Sequence, residues 1–168
     1  NFWKIENAET TVKIQWSHNC FEDYKKLAFQ FYECGYKTFE DVISSGHNNV
    51  KSDMWFLTGI FLIRQSLELS LKALLCRVYS RKRDVQDAFE ECCHDLSMLF
   101  QKYNDTDIEK YLNNNEEEWL TKYFASLEEV DKKSDMFRFP FEDDFLLKYR
   151  DKFLDNVDVA NNMLQAFS

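Results

Sequence analysis

Hydrophobic positions change period at about residue 17. Before it, Trp3 and Ile5, then Val12, Ile14 and Trp16, alternate with polar neighbours, which predicts an N-terminal extension over residues 1–16 carrying a short β-hairpin turned around Asn7 to Thr10. Two strands alone are marginal, so the hairpin would lie on a helical body. From residue 17 the spacing is three and four. Phe21, Tyr24, Ala28, Phe31, Gly35, Phe39 and Val42 form the stripe of a first helix that Gly46 stops. After a polar loop from Gly46 to Ser52, with Ser52 or Asp53 as cap, a long helix is predicted over about 53–79. Phe56, Ile60, Ile63, Leu67, Leu71, Leu74 and Val78 form its main stripe, and Leu57, Phe61, Leu69, Ala73 and Leu75 make most of the remaining circumference apolar. A helix apolar on so many sides is surrounded by others or forms an interface.

A third helix is predicted from about Val85 or Asp87 to Tyr103, with Phe89, Cys93, Leu96, Leu99, Phe100 and Tyr103 inward. Thr106 and Glu109 make a capping box for a short helix ending near Leu112. Asn115 and Glu118 cap another that carries Trp119, Leu120, Tyr123, Phe124, Leu127 and Val130, which makes Glu116, Glu117 and Glu118 a first-turn acidic cluster at a positive helix end. Residues 131–144 read as irregular, and a last helix places Leu146, Tyr149, Phe153, Val157, Ala160, Leu164 and Phe167 in register. The expectation is an all-α bundle of five to six helices, one domain over 17–168, around the long central helix.

Composition narrows this further. Three Gly and one Pro among 168 residues leave little turn chemistry for a many-stranded fold, and no Gly-rich phosphate cradle occurs. Gly35 and Gly59 fall inside helical patterns, where a missing side chain lets another element approach closely. A net charge of −9 argues against broad coating of nucleic acid. The longest nearly apolar run, Met54 to Ile63, spans about half a bilayer core at helical rise, so no membrane span is expected. The start of the chain lacks the order of a signal peptide, and because it opens on Asn1 rather than Met, residues ahead of it are expected. Cysteines at 20, 34, 76, 92 and 93 show no paired spacing, which predicts reduced thiols in a cytoplasmic protein. Cys92, Cys93 and His94 point in three directions on one helix and cannot close a tetrahedral site without distant partners, so no metal is expected, and no cofactor is expected either.

The candidate chemistry lies in three places. On the central helix Arg64, Glu68 and Lys72 share a face at i, i+4 and i+8, either as an ion-pair ladder or as a polar seam lining a cleft. Arg77, Arg81, Lys82 and Arg83 follow at its end, either complementing the helix dipole or contacting phosphate. Phe137-Arg138-Phe139-Pro140-Phe141 places three aromatics in a loop, with Arg138 aimed at a specific acceptor. His18 and His47 read as surface residues, and His94 as a hydrogen-bonded residue of the core or its rim.

Read together, three segments resemble a family. Leu67-Glu68-Leu69-Ser70-Leu71-Lys72-Ala73-Leu74-Leu75 is similar to the E-L-x-L-K-A-L-L helix of HEPN domains. His94-Asp95-Leu96 with Leu99-Phe100 resembles their G-H-D-L-x-x-L element, with Cys93 in place of the glycine. Phe137-Arg138-Phe139-Pro140 resembles the F-R-Y-P loop of certain bacterial HEPN-like proteins. The resemblance spans residues 18–167 and implies a homodimeric bundle of a bacterial toxin–antitoxin, phage-defence or other RNA-related system, with a protein partner, RNA or a nucleotide as further partners. Active HEPN ribonucleases carry R-x(4-6)-H, and no Arg here has a His at that spacing. The expectation is therefore a non-catalytic binding or scaffold module in which Arg64, Glu68, Lys72, His94, Asp95 and Arg138 form a polar cluster. The alternative is a divergent metal-independent ribonuclease, with His94 as general acid or base and Arg138 stabilising phosphorane-like charge.

Overall fold

A computed structural model describes residues 16–46, 48–106, 112–131 and 155–168. These are all-helical, with no strand among the described residues: α1 (Cys20–Ser44), a π-helical turn (Lys51–Trp55) that runs directly into α2 (Phe56–Val78), α3 (Lys82–Cys92), α4 (Leu96–Asn104), α5 (Asn114–Asp131) and α6 (Asn156–Phe167). The expected hairpin as far as Ile14, Glu109 of the Thr106–Glu109 box, the Phe137–Pro140 loop and Leu146, Tyr149 and Phe153 of the expected last helix lie outside the described residues, as does His47. That last helix is not one run from Leu146 to Phe167: Asp155 is extended and its side chain caps a fresh start by accepting the Val157 and Asp158 amides.

The first helix starts where the Asn19 side chain accepts the Glu22 amide, with Glu22 and Asp23 at the positive end of the helix. Asp23 in turn accepts both the backbone amide and the hydroxyl of Ser17, at 2.7 and 2.8 Å. It stops at Ser45, and Gly46 then takes the left-handed conformation that ends helices, φ +63°. The loop beyond is shorter than the sequence suggests. The Asn48 side chain caps the next helical segment by accepting the Lys51 amide at 3.1 Å, so the cap is Asn48 and not Ser52 or Asp53. Val50 already has helical backbone, φ −62° and ψ −44°, so the segment is helical before Ser52 is reached.

Helix α2 is the axis of the bundle. Ile60, Ile63, Leu67, Leu71 and Leu75 are buried with Leu96, Leu99 and Phe100 of α4, Phe124 of α5 and Ala160 and Met163 of α6. Against α1 the two backbones approach at glycines. A Cβ on Gly35 would stand 2.6 Å from Ile63 Cδ1, and one on Gly59 would stand 2.7 Å from the Phe39 ring, so a side chain at either position would force its neighbour to shift. Both close approaches agree with the expectation from the helical pattern.

Three local expectations are corrected. The helix expected from residue 85 to 103 is two helices, because Cys93 adopts φ +50° and Asp95 caps a fresh start by accepting the Met98 amide at 2.8 Å. The break rotates the register, so Cys92 is buried and Cys93 is exposed, the reverse of a continuous helix. The start of α5 is set by Asn113, whose side chain accepts the Asn115 and Glu116 amides while Glu116 accepts the Asn113 amide; this box sits two residues before the expected Asn115–Glu118 pair. Glu116 and Glu117 do occupy its first turn. Finally, Cys20 and Cys76 form a disulfide that ties the start of α1 to the end of α2. The expectation of five reduced thiols fails because residues 56 apart in sequence meet only when the two helices pack antiparallel. No described helix is long and apolar enough to cross a membrane.

Candidate functional site

The i, i+4, i+8 ladder of α2 forms, and it is interior. The Arg64 side chain is 1% exposed and that of Glu68 2%. Arg64 Nη1 donates to Glu68 Oε2 at 3.1 Å, and Lys72 Nζ donates to Glu68 Oε1 at 2.7 Å. His94 joins from the turn between α3 and α4, its Nδ1 2.9 Å from the same Glu68 Oε1. A carboxylate only accepts, so Nδ1 carries the proton and Nε2 is the ring's remaining polar atom, on a side chain 54% exposed. Lys72 also lies over the Phe89 ring of α3, 5.4 Å from its centroid.

Arg64 extends the cluster to two further elements. Its Nη2 donates to the His94 carbonyl at 2.6 Å and lies 3.6 Å from Glu128 Oε1, while its Nε stands 3.2 Å from Asp131 Oδ2, at charge-pairing distance without the alignment of a hydrogen bond. Glu128 Oε1 accepts the Leu96 amide at the start of α4, 2.9 Å away. One guanidinium thus joins α2, the α3–α4 turn and α5. Five donors in a planar fork make arginine suited to that, where a lysine would serve one acceptor at a time.

The carboxylates respond in opposite directions. Burial alone would raise the Glu68 carboxyl, but Lys72 and His94 outweigh it and hold the group below the usual range. Burial pushes Glu128 up to about 7, although the Leu96 amide and Arg64 oppose it, because Asp95 and Asp131 add negative charge and Arg64 is divided among three carboxylates. Glu128 Oε2 is buried with no hydrogen-bond partner, which is where a proton would sit.

Of the residues expected to cluster, Arg64, Glu68, Lys72 and His94 meet. Asp95 stands beside them as the cap of α4, and Arg138 lies outside the described residues. Glu128 and Asp131 are the members that sequence reasoning missed. Their signal was available: with Phe124 they share one face of α5 at i, i+4 and i+7, so two carboxylates continue a core-facing stripe. The basic run separates instead of forming a patch on one helix end. Arg77 is in the last turn of α2, over the Phe21 ring at 5.5 Å, whereas Arg81, Lys82 and Arg83 open α3, at the helix end where cations do not complement the dipole. Arg81 pairs with Asp84 at 2.9 Å and Arg83 with Asp87 at 3.9 Å, so these cations are partnered within their own helix.

No group of His, Cys, Asp and Glu among the described residues has the geometry to hold a metal ion. Chemically, the arrangement holds helices together through charge and leaves one imidazole edge facing water. No protein-family model, curated protein or solved structure matches the chain.

Proposed function

We propose that the chain is a non-catalytic, HEPN-like helical binding and scaffold module that works as a homodimer in a bacterial defence, toxin–antitoxin or RNA-related system. The observation that carries the reading is the use made of the motif residues. Glu68, Lys72 and His94, which lie in the two segments resembling the family, are engaged in one network with Arg64 that joins α2 to the α3–α4 turn, and a residue so engaged serves architecture first. The backbone at Cys93 supports the resemblance as well: φ +50° is a conformation that favours glycine, the residue found there in the motif it resembles. Support for dimerisation comes from exposed apolar side chains in helical register, Phe29, Tyr36 and Ile43 along α1, and Val50, Met54 and Leu57 leading into α2.

The test is mass by light scattering after size exclusion, with the 260/280 nm absorbance ratio. A dimer free of nucleic acid that becomes a monomer in Met54→Glu/Leu57→Glu supports the scaffold; a monomer at all concentrations removes the dimer. The half-exposed ring of His94, oriented by Glu68, favours the ribonuclease as a second reading. Metal-independent RNA cleavage that survives purification and disappears in both His94→Ala and Arg138→Ala would replace the scaffold with that reading.

A further inference from the structure

A cavity of about 770 Å³ lies between α2, α4, α5 and α6, on a different face of α2 from the charge network. None of Arg64, Glu68, Lys72 or His94 lines it; Leu71 and Leu74 of α2, Phe100 of α4, Trp119 and Phe124 of α5 and Phe167 of α6 do. The volume falls in the range of small-molecule sites. Its aromatic walls are held in place by their neighbours: Phe100 and Phe124 meet edge to face at 5.3 Å, Trp119 stacks on Tyr123 at 5.0 Å, and Phe167 stacks on Tyr32 of α1 at 4.1 Å. Side chains locked this way do not collapse into the space, so the site exists before any ligand arrives.

Two features define the ligand. No Lys, Arg or His among the described residues lines the cavity, and Glu116 stands at its edge with one oxygen on the Asn113 amide, so these walls give an anion no compensating charge. Ser70 is half-buried on the α2 wall and has no hydrogen-bond partner among the described residues, whereas Ser66 one turn earlier bonds back to the Ile63 carbonyl at 2.7 Å. We infer that this cavity is a binding site for an uncharged, largely apolar small molecule carrying one hydrogen-bonding group, which Ser70 meets. The inference is independent of the HEPN-like reading.

The probe is N-phenyl-1-naphthylamine, a neutral aromatic amine whose emission rises in apolar surroundings, titrated into the full chain. The expected result is saturable one-to-one binding with probe emission sensitised by Trp119, so that Trp119→Phe removes most of the energy transfer. Ala166→Trp, which fills the cavity from α6, should weaken the probe at least tenfold with the thermal midpoint kept, and dodecan-1-ol should displace it at least tenfold better than dodecanoate. Ser70→Ala should weaken dodecan-1-ol severalfold. Absence of saturable binding, energy transfer unchanged in Trp119→Phe, or dodecanoate competing as well as the alcohol would overturn the proposal. Should Ala166→Trp fail to fold, the Trp119→Phe readout decides the location by itself.

Discussion

The two sides of α2 are held to their neighbours by opposite means. Toward α1 the contact is close and apolar, with Gly35 against Ile63 and Gly59 against Phe39 so near that one more carbon would displace its neighbour. Toward α4 and α5 the same helix presents a guanidinium and a carboxylate to two elements at once, the α3–α4 turn and α5. Steric packing loses strength by steps of volume and is indifferent to pH, whereas the charged side depends on every partner being present and on who holds a proton. One helix therefore has a side that tolerates titration and a side that does not.

The largest effect expected from breaking this contrast is on the charged side. Arg64→Met removes a cation paired with Glu68, Glu128 and Asp131 together and leaves these buried carboxylates without it, at a cost of about 3–5 kcal/mol. Urea unfolding at pH 7 should show a correspondingly lower midpoint with a similar slope. Next comes the covalent tie at the end of the apolar side. Cys20 and Cys76 are 56 residues apart, and closing a loop of that length restricts the unfolded chain by about 4 kcal/mol, so Cys20→Ser should cost roughly 2–4 kcal/mol. Dithiothreitol should lower the thermal midpoint of the wild type and leave that of Cys20→Ser unchanged.

Smaller effects sharpen the comparison. Gly59→Ala gains helix propensity but drives a methyl into the Phe39 ring, for a net loss of about 1–2 kcal/mol that is the same at pH 5 and pH 8. Glu128→Gln should do the reverse and act through pH alone. The Glu128 carboxyl is raised to about 7 in the folded chain from an ordinary 4.5, so the folded state binds the proton more tightly and this residue costs stability as pH rises through that window. Below 4.5 both states are protonated and the cost vanishes; above 7 it is complete. Glu128→Gln should match the wild type at pH 4 and exceed it by roughly 1–2 kcal/mol at pH 8, read as the difference between their stability curves. A difference of the opposite sign would mean that Arg64 stabilises the ionised Glu128 after all.

Among the described residues helical character was legible, because a three-and-four repeat of large apolar residues is a local property of the chain. The Gly46 stop, the central helix and both glycine approaches belong to this class. Helix starts were less legible. Asn48 and Asn113 lie farther from the apolar stripe than Ser52, Asp53 and Asn115, and Cys93 breaks a helix with no Gly or Pro to mark it. On the α2 side, the charged cluster was half legible: Arg64, Glu68 and Lys72 declare themselves by their spacing, and His94 by the motif it opens. Glu128 and Asp131 could be seen as misplaced carboxylates on a core face, but nothing in their own helix names the arginine that receives them.

What the sequence by itself determined is the helical character of the described segments and most of the faces they bury, since both follow from side-chain size and polarity repeated at 3.6 residues. What only the tertiary structure decided is which distant residues meet: Cys20 with Cys76, Arg64 with Glu128 and Asp131, and the four helices that leave a cavity between them. Those pairings depend on how helices cross and at what separation, which is the joint result of every packed residue and is encoded in no local stretch of the chain.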